Sequence, residues 1–326
     1  MKDVLVKAKS KLGKIPDNDL YMSLANETNL DRKIEILAKA YPDYYTNTDK
    51  RDIESNNFIN MYQELKSIDY FLHGLDSKFF NLYFSKYEIL FLQEIIESLV
   101  NENYEKNYLH FKANPLSDNF ILEPDMDLAR FVNQNQDSRY YRVLLAFINK
   151  NMEEDSLIFL SSNALMKFYF RSLLKLARKF PRKERANIEN FIGEEINLSN
   201  FEILYRLKSF YDLEDKDIFN YLIEGGNTFN GPRLKEISLL SRDDFLKRMR
   251  NSKYARVFTD DNNVHIGIRR YQHKLYRSEI TKEETDILFV ISAMNLIFIS
   301  GENIDAMLEV DDSFTIDERI QYLIVR

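Results

Sequence analysis

Backbone breakers are scarce in this chain: eight glycines and six prolines are spread over 326 residues. Glycine and proline are the residues that most reliably end a helix or punctuate a strand, so long uninterrupted helices are the economical reading. The 24 phenylalanines and 20 tyrosines supply large apolar side chains to pack such helices together, with no tryptophan among them. The expected fold class is therefore all-α, and the length is ample for two or three domains with a sizeable core. A net charge of −7 argues against a general nucleic-acid binder, which usually carries a basic excess. Cysteine is absent, so neither a disulfide framework nor a thiolate metal site is expected. That fits a reducing cytosol. Residues 2–14 hold Lys2, Lys7, Lys9, Lys11 and Lys14 without the apolar run of a signal peptide. The most apolar stretch, residues 287–301, is about 15 residues long, short of the roughly 20 a membrane span needs. A buried core helix in a soluble chain is expected there.

Along the chain, residues 2–12 read as a short amphipathic helix, and Thr28 or Asn29 can cap a helix running to Tyr41. Residues 42–54 are polar and turn-rich, a surface loop. Helical spacing holds from 56 to 100 with a break near His73-Gly74. Residues 101–124 look irregular, with Pro115 and Pro124 bounding a loop. Asp125 or Asp127 opens another helix, and Ser138 one more. A long helix and a short one over 183–192 follow. After Pro232 come helices near 233–250, a strand-like segment over 255–268, and helices near 269–278, 281–300, 303–309 and 315–325.

Residues 193–226 hold the clearest punctuation. Ser199 with Glu202 three residues on matches a capping box, and Asn197 is an alternative cap. Phe201, Leu204, Tyr205 and Lys208 keep a helical period. A second helix over 213–223 starts with Glu214, Asp215 and Asp217, suited to the positive end of its dipole. Gly225-Gly226 stops it. The expectation is a helical hairpin with no nucleophile, metal cluster or phosphate loop.

Motifs that could carry chemistry are few. Gly13-Lys14 lacks the remainder of a P-loop, and no G-x-G-x-x-G occurs. His73, His110, His265 and His273 share no metal-ligand spacing. Asp125-Met126-Asp127 resembles the D-x-D of metal-dependent transferases, but carboxylates at a helix start explain it. The acidic run from Asp212 to Asp217 lacks the glycine and the bidentate glutamate of a calcium loop. No catalytic residue, metal or cofactor is expected.

Lys167, Arg171, Lys175, Arg178 and Arg182 follow at steps of three or four residues, which places five cations along one helix face opposite Phe170, Leu173, Leu174 and Ala177. Such a line is either a solvated face or a docking stripe for an acidic protein surface. Ser85-Lys86-Tyr87-Glu88-Ile89-Leu90-Phe91 matches Ser199-Asn200-Phe201-Glu202-Ile203-Leu204-Tyr205, with a shorter echo in Ser300-Gly301-Glu302-Asn303-Ile304. This reads as three quasi-repeats of roughly 100–115 residues. The units are 1–115, 116–228 and 229–326, with Glu88, Glu202 and Glu302 at equivalent places, as contacts or as capping and surface residues.

The central stretch also carries a family resemblance. Glu195-Ile196, Leu198, Asn200, Tyr205-Arg206, Lys208, Phe210-Tyr211 and Leu222-Ile223 with Gly225-Gly226 resemble the C subunit of V-type rotary ATPases of archaea and bacteria, the counterpart of the eukaryotic d subunit. The run from Phe168 to Ala177, the segment FPRKERANIENFIGEEI, Phe245-Leu246 with Ser252 and Tyr254, and the end of the chain resemble it too. Residues 165–326 are covered well and the first half loosely, through Ala8-Lys9-Ser10-Lys11-Leu12 and residues 37–41. Asp212 and Val310 stand where that family usually has glycine. The resemblance implies three similar helical domains arranged as a funnel or socket. It implies a non-catalytic rotor part on the cytoplasmic side of the membrane, peripheral through its complex, between the D and F subunits of the central stalk and the proteolipid rotor ring. Lys167, Arg171, Lys175, Arg178, Asn200, Arg206 and Lys208 would then be the partner-contact residues. A helical adaptor outside any ATPase, a metal enzyme using Asp125 and Asp127, and a helix-turn-helix DNA binder over 213–240 are the other readings; the last has only Arg233 and Lys235 as cations on its second helix.

Overall fold

Helices make up every regular element among the described residues, and no strand occurs there. The structure, a computed structural model, describes residues 2–41, 50–148, 152–211, 213–260, 263–282, 285–311 and 313–325, with side chains for all of these except 50–56. In chain order the helices are α1 (Lys2–Leu12), α2 (Asn18–Asn26), α3 (Leu30–Ala40), α4 (Lys50–Asp69), α5 (Gly74–Phe84), α6 (Lys86–Val100), α7 (Tyr104–Ala113), α8 (Leu128–Gln134), α9 (Tyr141–Leu144), α10 (Glu154–Ala177), α11 (Arg182–Phe210), α12 (Asp215–Ile218), α13 (Gly231–Ser238), α14 (Arg242–Arg250), α15 (Val264–Lys282), α16 (Asp286–Glu309) and α17 (Ile316–Gln321). They form two compact units, one of Met1–Asp76 with Pro181–Arg326 and one of Ser77–Phe180.

The first unit is built on α16. Its residues from Ile287 through Asn295 are all buried, the signature of a helix apolar on every side. Among the described residues it is the one helix long and apolar enough to cross a membrane, yet 89% of its most apolar window is buried within the protein. It is a core helix, wrapped by α1, α2, α4 and α15. Its C-terminal half joins Tyr21, Leu24, Leu37 and Leu323 in one apolar cluster. There the buried Lys33 donates to the carbonyls of Met307 (2.7 Å) and Val310, so a cation satisfies orphan groups at the helix end.

The second unit pairs α6 with α10. Aromatic rings fill it: Phe91 meets Phe111 edge-on at 6.0 Å, and Phe120 lies 6.4 Å from both Phe131 and Tyr140. Tyr169 of α10 donates to the carbonyl of Tyr83, so its hydroxyl is satisfied in the interior.

Several expectations need correction. The hairpin is not one: α11 runs unbroken from Arg182 to Phe210, absorbing the short 183–192 helix. Asn197 and Ser199 do not cap; Asn197 is buried and spends its amide on other segments. The second hairpin helix shrinks to α12 and a 3-10 turn over Phe219–Tyr221. Gly226 instead serves close approach, because a Cβ there would stand 2.2 Å from Asn197 Oδ1 and 2.5 Å from the Phe229 carbonyl. The strand-like segment is a 3-10 turn, Ala255–Phe258, followed by α15. Residues 104–113, read as irregular, are helical, with Tyr104 and Phe111 buried two turns apart. Residues 303–309 continue α16 rather than forming a separate helix. Of the loop expected over 42–54, residues 42–49 lie outside the described residues, as does Asp212, while α4 already starts at Lys50. Two caps stand as read: Asn29 accepts from Arg32 N–H at α3, and Asp127 from Arg130 N–H at α8.

Candidate functional site

In the second unit, α10 buries Leu165, Tyr169, Phe170, Leu173 and Ala177, which turns Arg171 and Lys175 outward. Arg178, at the helix end, is exposed as well. These three cations form no ion pair among the described residues. Lys167, one turn earlier, is half-buried and already engaged with a neighbour. Arg182 leaves the line, because α10 ends at Ala177 and Pro181 precedes α11. The five-cation stripe is thus an exposed trio with a partnered lysine behind it. Glu88, on α6 of the same unit, accepts from Tyr140 Oη (2.7 Å) and Asn119 Nδ2 (3.1 Å), with Arg139 at 4.0 Å. Burial, reinforced by Glu88, pushes the Tyr140 phenol well above its ordinary range.

In the first unit, Asn200 is fully buried; its amide donates to the Ile223 carbonyl and accepts from the Ile223 N–H, both at 2.8 Å. Lys208 is equally committed, its side chain 2% exposed and donating to Asp215 (2.6 Å) and the carbonyls of Ser238 (2.9 Å) and Leu240. Neither presents itself to a partner. Both staple the segment after α11 back onto that helix. Arg206 is exposed and makes no ion pair among the described residues.

Glu202 and Glu302 both meet α15, from two different helices. Glu202 of α11 lies 2.9 Å from His265 Nδ1. One turn along α15, Arg269 grips Glu302 of α16 with a two-pronged contact (Nε–Oε2 3.1 Å, Nη2–Oε1 2.5 Å) and donates to Gln272. The result is a part-exposed row across three helices, with two basic groups of α15 flanked by a glutamate from α11 and one from α16. The hydrogen bond to Glu202 raises His265 above the ordinary imidazole range, against the opposing effect of burial. Burial acts upward on Glu202, but His265, Arg206 and Arg269 together hold it below the usual carboxylate range.

Sequence reasoning missed a polar hub. Glu194, in the middle of α11, is buried and accepts from Lys253 Nζ (2.9 and 3.1 Å), Tyr254 Oη (2.9 Å) and Tyr271 Oη (2.8 Å). Burial pulls its carboxyl up, yet these donors carry it below the ordinary value. Nearby Asn197 donates to Tyr254 Oη (3.0 Å) and accepts from Phe229 N–H (3.1 Å). Glu195 accepts from Tyr276 at 2.8 Å. The readable signal was Glu194-Glu195 and Asn197 amid Phe191, Ile192, Ile196 and Leu198: polar groups at positions a packed helix buries.

No three potential ligands stand together for a metal among the described residues. Asp127 caps α8, and Asp125 lends its carbonyl to Arg130 at 2.7 Å. His273 is held low by burial and by Arg277. The arrangement is therefore one of helices locked by buried polar contacts, with charged surfaces on each unit.

Residues 5–297 match the family model described as ATP synthase (C/AC39) subunit. The C subunit of the A-type ATP synthase of Methanobrevibacter smithii is 24% identical over 138 residues, which is 42% of this chain and 35% of that protein. The match thus spans about a third of that relative's length. With the family matched across nearly the whole chain and an all-helical fold beneath it, the chain belongs to the ATP synthase (C/AC39) subunit family, which holds the C and d subunits of A- and V-type ATPases.

Proposed function

We propose that this chain is a non-catalytic rotor component that couples the D–F central stalk to the proteolipid rotor ring, on the cytoplasmic side of the membrane and peripheral to it. The observation that carries this reading is the family match over residues 5–297. A coupling part must resist twist rather than perform chemistry, and buried stapling of the kind made by Lys208, Glu194 and Lys33 suits that demand. The three-unit division at 1–115, 116–228 and 229–326, and the funnel it would form, belong to the same proposal. Glu88, Glu202 and Glu302 support it: each sits on a long helix and reaches a donor on another segment. Arg171, Lys175, Arg178 and Arg206 are the stalk-facing candidates, because they are exposed cations without an ion pair among the described residues. Omission from a reconstituted complex tests the role. ATP hydrolysis by the head should persist while ATP-driven ion transport is lost; transport at an undiminished rate would refute it.

A further inference from the structure

A second charged surface lies in the first unit, where α1 packs on α4. The apolar side of α1 is spent on the core, with Val4 and Ala8 buried, so its outer side is what remains. That side is basic and unusually greasy. Val6 is 69% exposed, and Tyr70, just past the end of α4, is 79% exposed. The two are linked through Lys7, whose ammonium stands 4.6 Å from the Phe71 ring centre, with Tyr70 edge-on to Phe71 at 5.3 Å. Lys66 lies one turn before Tyr70, whose N–H donates to its carbonyl, and covers Tyr62 at 5.1 Å. Lys2, Lys9 and Lys66 are exposed. Lys2, Lys7 and Lys66 form no ion pair among the described residues. Of the acids on these two helices, Glu64 is taken by Lys11, Asp69 has a partner, and Asp3 is the single acid of α1. Crowding of positive charge is felt at Lys11, which burial and then Lys7 and Lys14 hold below the ordinary lysine range.

We infer that the surface formed by Lys2, Val6, Lys7, Lys66 and Tyr70 rests on an anionic phospholipid bilayer, in direct contact with headgroups. Charge complementarity selects an acidic surface, and the chemistry of the cations selects lipid over protein. Every cation here is lysine, and the first arginine of the chain is Arg32. Protein interfaces favour arginine and deplete lysine, whereas mobile headgroups are well matched by flexible ammonium groups. Tyrosine beside lysine, with a single aliphatic side chain exposed, is the pattern of a membrane–water boundary. Because the apolar face of α1 is buried, the contact is shallow and leaves the fold intact. The inference stands apart from the stalk reading and uses none of its residues.

Co-sedimentation of the full chain with phosphatidylcholine vesicles, with and without phosphatidylglycerol, tests it. The chain should pellet with the anionic vesicles at low salt, release at high salt, and ignore neutral ones. Each lysine near an anionic surface changes binding by about fivefold, so Lys2→Glu/Lys7→Glu/Lys66→Glu should lose roughly 100-fold or more. Val6→Ser/Tyr70→Ser should weaken binding while leaving its salt dependence in place. A thermal melt matching the unsubstituted chain shows that the variants are folded. Failure to bind anionic vesicles, equal binding to neutral ones, or undiminished binding by the folded triple variant would overturn the inference. So would loss of D–F stalk binding in that variant, which would make the surface a protein contact. Loss of stalk binding by the unsubstituted chain, with vesicle binding intact, would count against the proposed function alone.

Discussion

The buried Lys33 is held by the carbonyls that end α16, to which its ammonium donates. Charge-assisted hydrogen bonds of this kind are each worth about 1.5–3 kcal/mol, so Lys33→Met should lower unfolding stability by about 2–4 kcal/mol, measurable by urea titration. Glu194 offers a pH-resolved test. Its folded pKa is depressed, so its contribution is present above the unfolded carboxylate value of about 4.3 and is lost as pH falls through the folded value. Glu194→Gln should therefore cost about 1–3 kcal/mol at neutral pH and progressively less in acid. His265 works in the opposite sense. Its pKa is raised by Glu202, so the contact stabilises fully below about 6.5 and fades as pH rises through the folded value. Both side chains are partly exposed, so Glu202→Gln should remove less than about 1 kcal/mol, and only on the acid side of that window. A stability difference that instead grows toward alkaline pH would reverse the assignment. These roles were hidden in the sequence because a carboxylate or amide gives no sign of which distant donor it will meet. Asn200 and Lys208 were legible as special positions but not as interior staples.

At the scale of elements, the sequence conveyed helix content well and helix ends unevenly. Ends marked by side-chain caps, as at Asn29 and Asp127, were readable because the capping partner lies three residues away. Breaks expected within α11 and α16 were wrong because Gly193 and Gly301 lie inside helices that tertiary packing carries through. The segment around Gly267 read as a strand but lies in α15, where the backbone of Val257 packs closely against it. A Cβ on Gly267 would stand 2.1 Å from the Val257 carbonyl oxygen, a backbone atom that cannot swing aside. At Gly301 the obstacle is Met61 Sδ at 2.6 Å, the end of a flexible side chain. Alanine normally gains about 1 kcal/mol over glycine within a helix. Gly301→Ala should therefore be near neutral, whereas Gly267→Ala should cost about 1–3 kcal/mol through overpacking. Thermal melts of the two variants decide this, and equal midpoints would contradict the difference in packing.

For the whole molecule, the charge pattern was legible only as far as helical geometry reached. The spacing from Arg171 to Arg178 survives as an exposed trio, while Arg182 falls beyond Pro181 on another helix and Lys167 has a partner of its own. The family was carried by register extended over much of the chain rather than by one short motif. At this scale the proposed role comes down to a salt-sensitive grip on the central stalk. The most direct measurement is the affinity of the chain for the D–F pair at low and high salt, alone and with Arg171→Glu/Lys175→Glu/Arg178→Glu. Binding should weaken with salt and fall at least tenfold in the triple variant, a loss of about 1.4 kcal/mol or more. Absence of binding by folded partners, or equal binding by the two forms at every salt concentration, would contradict the coupling role.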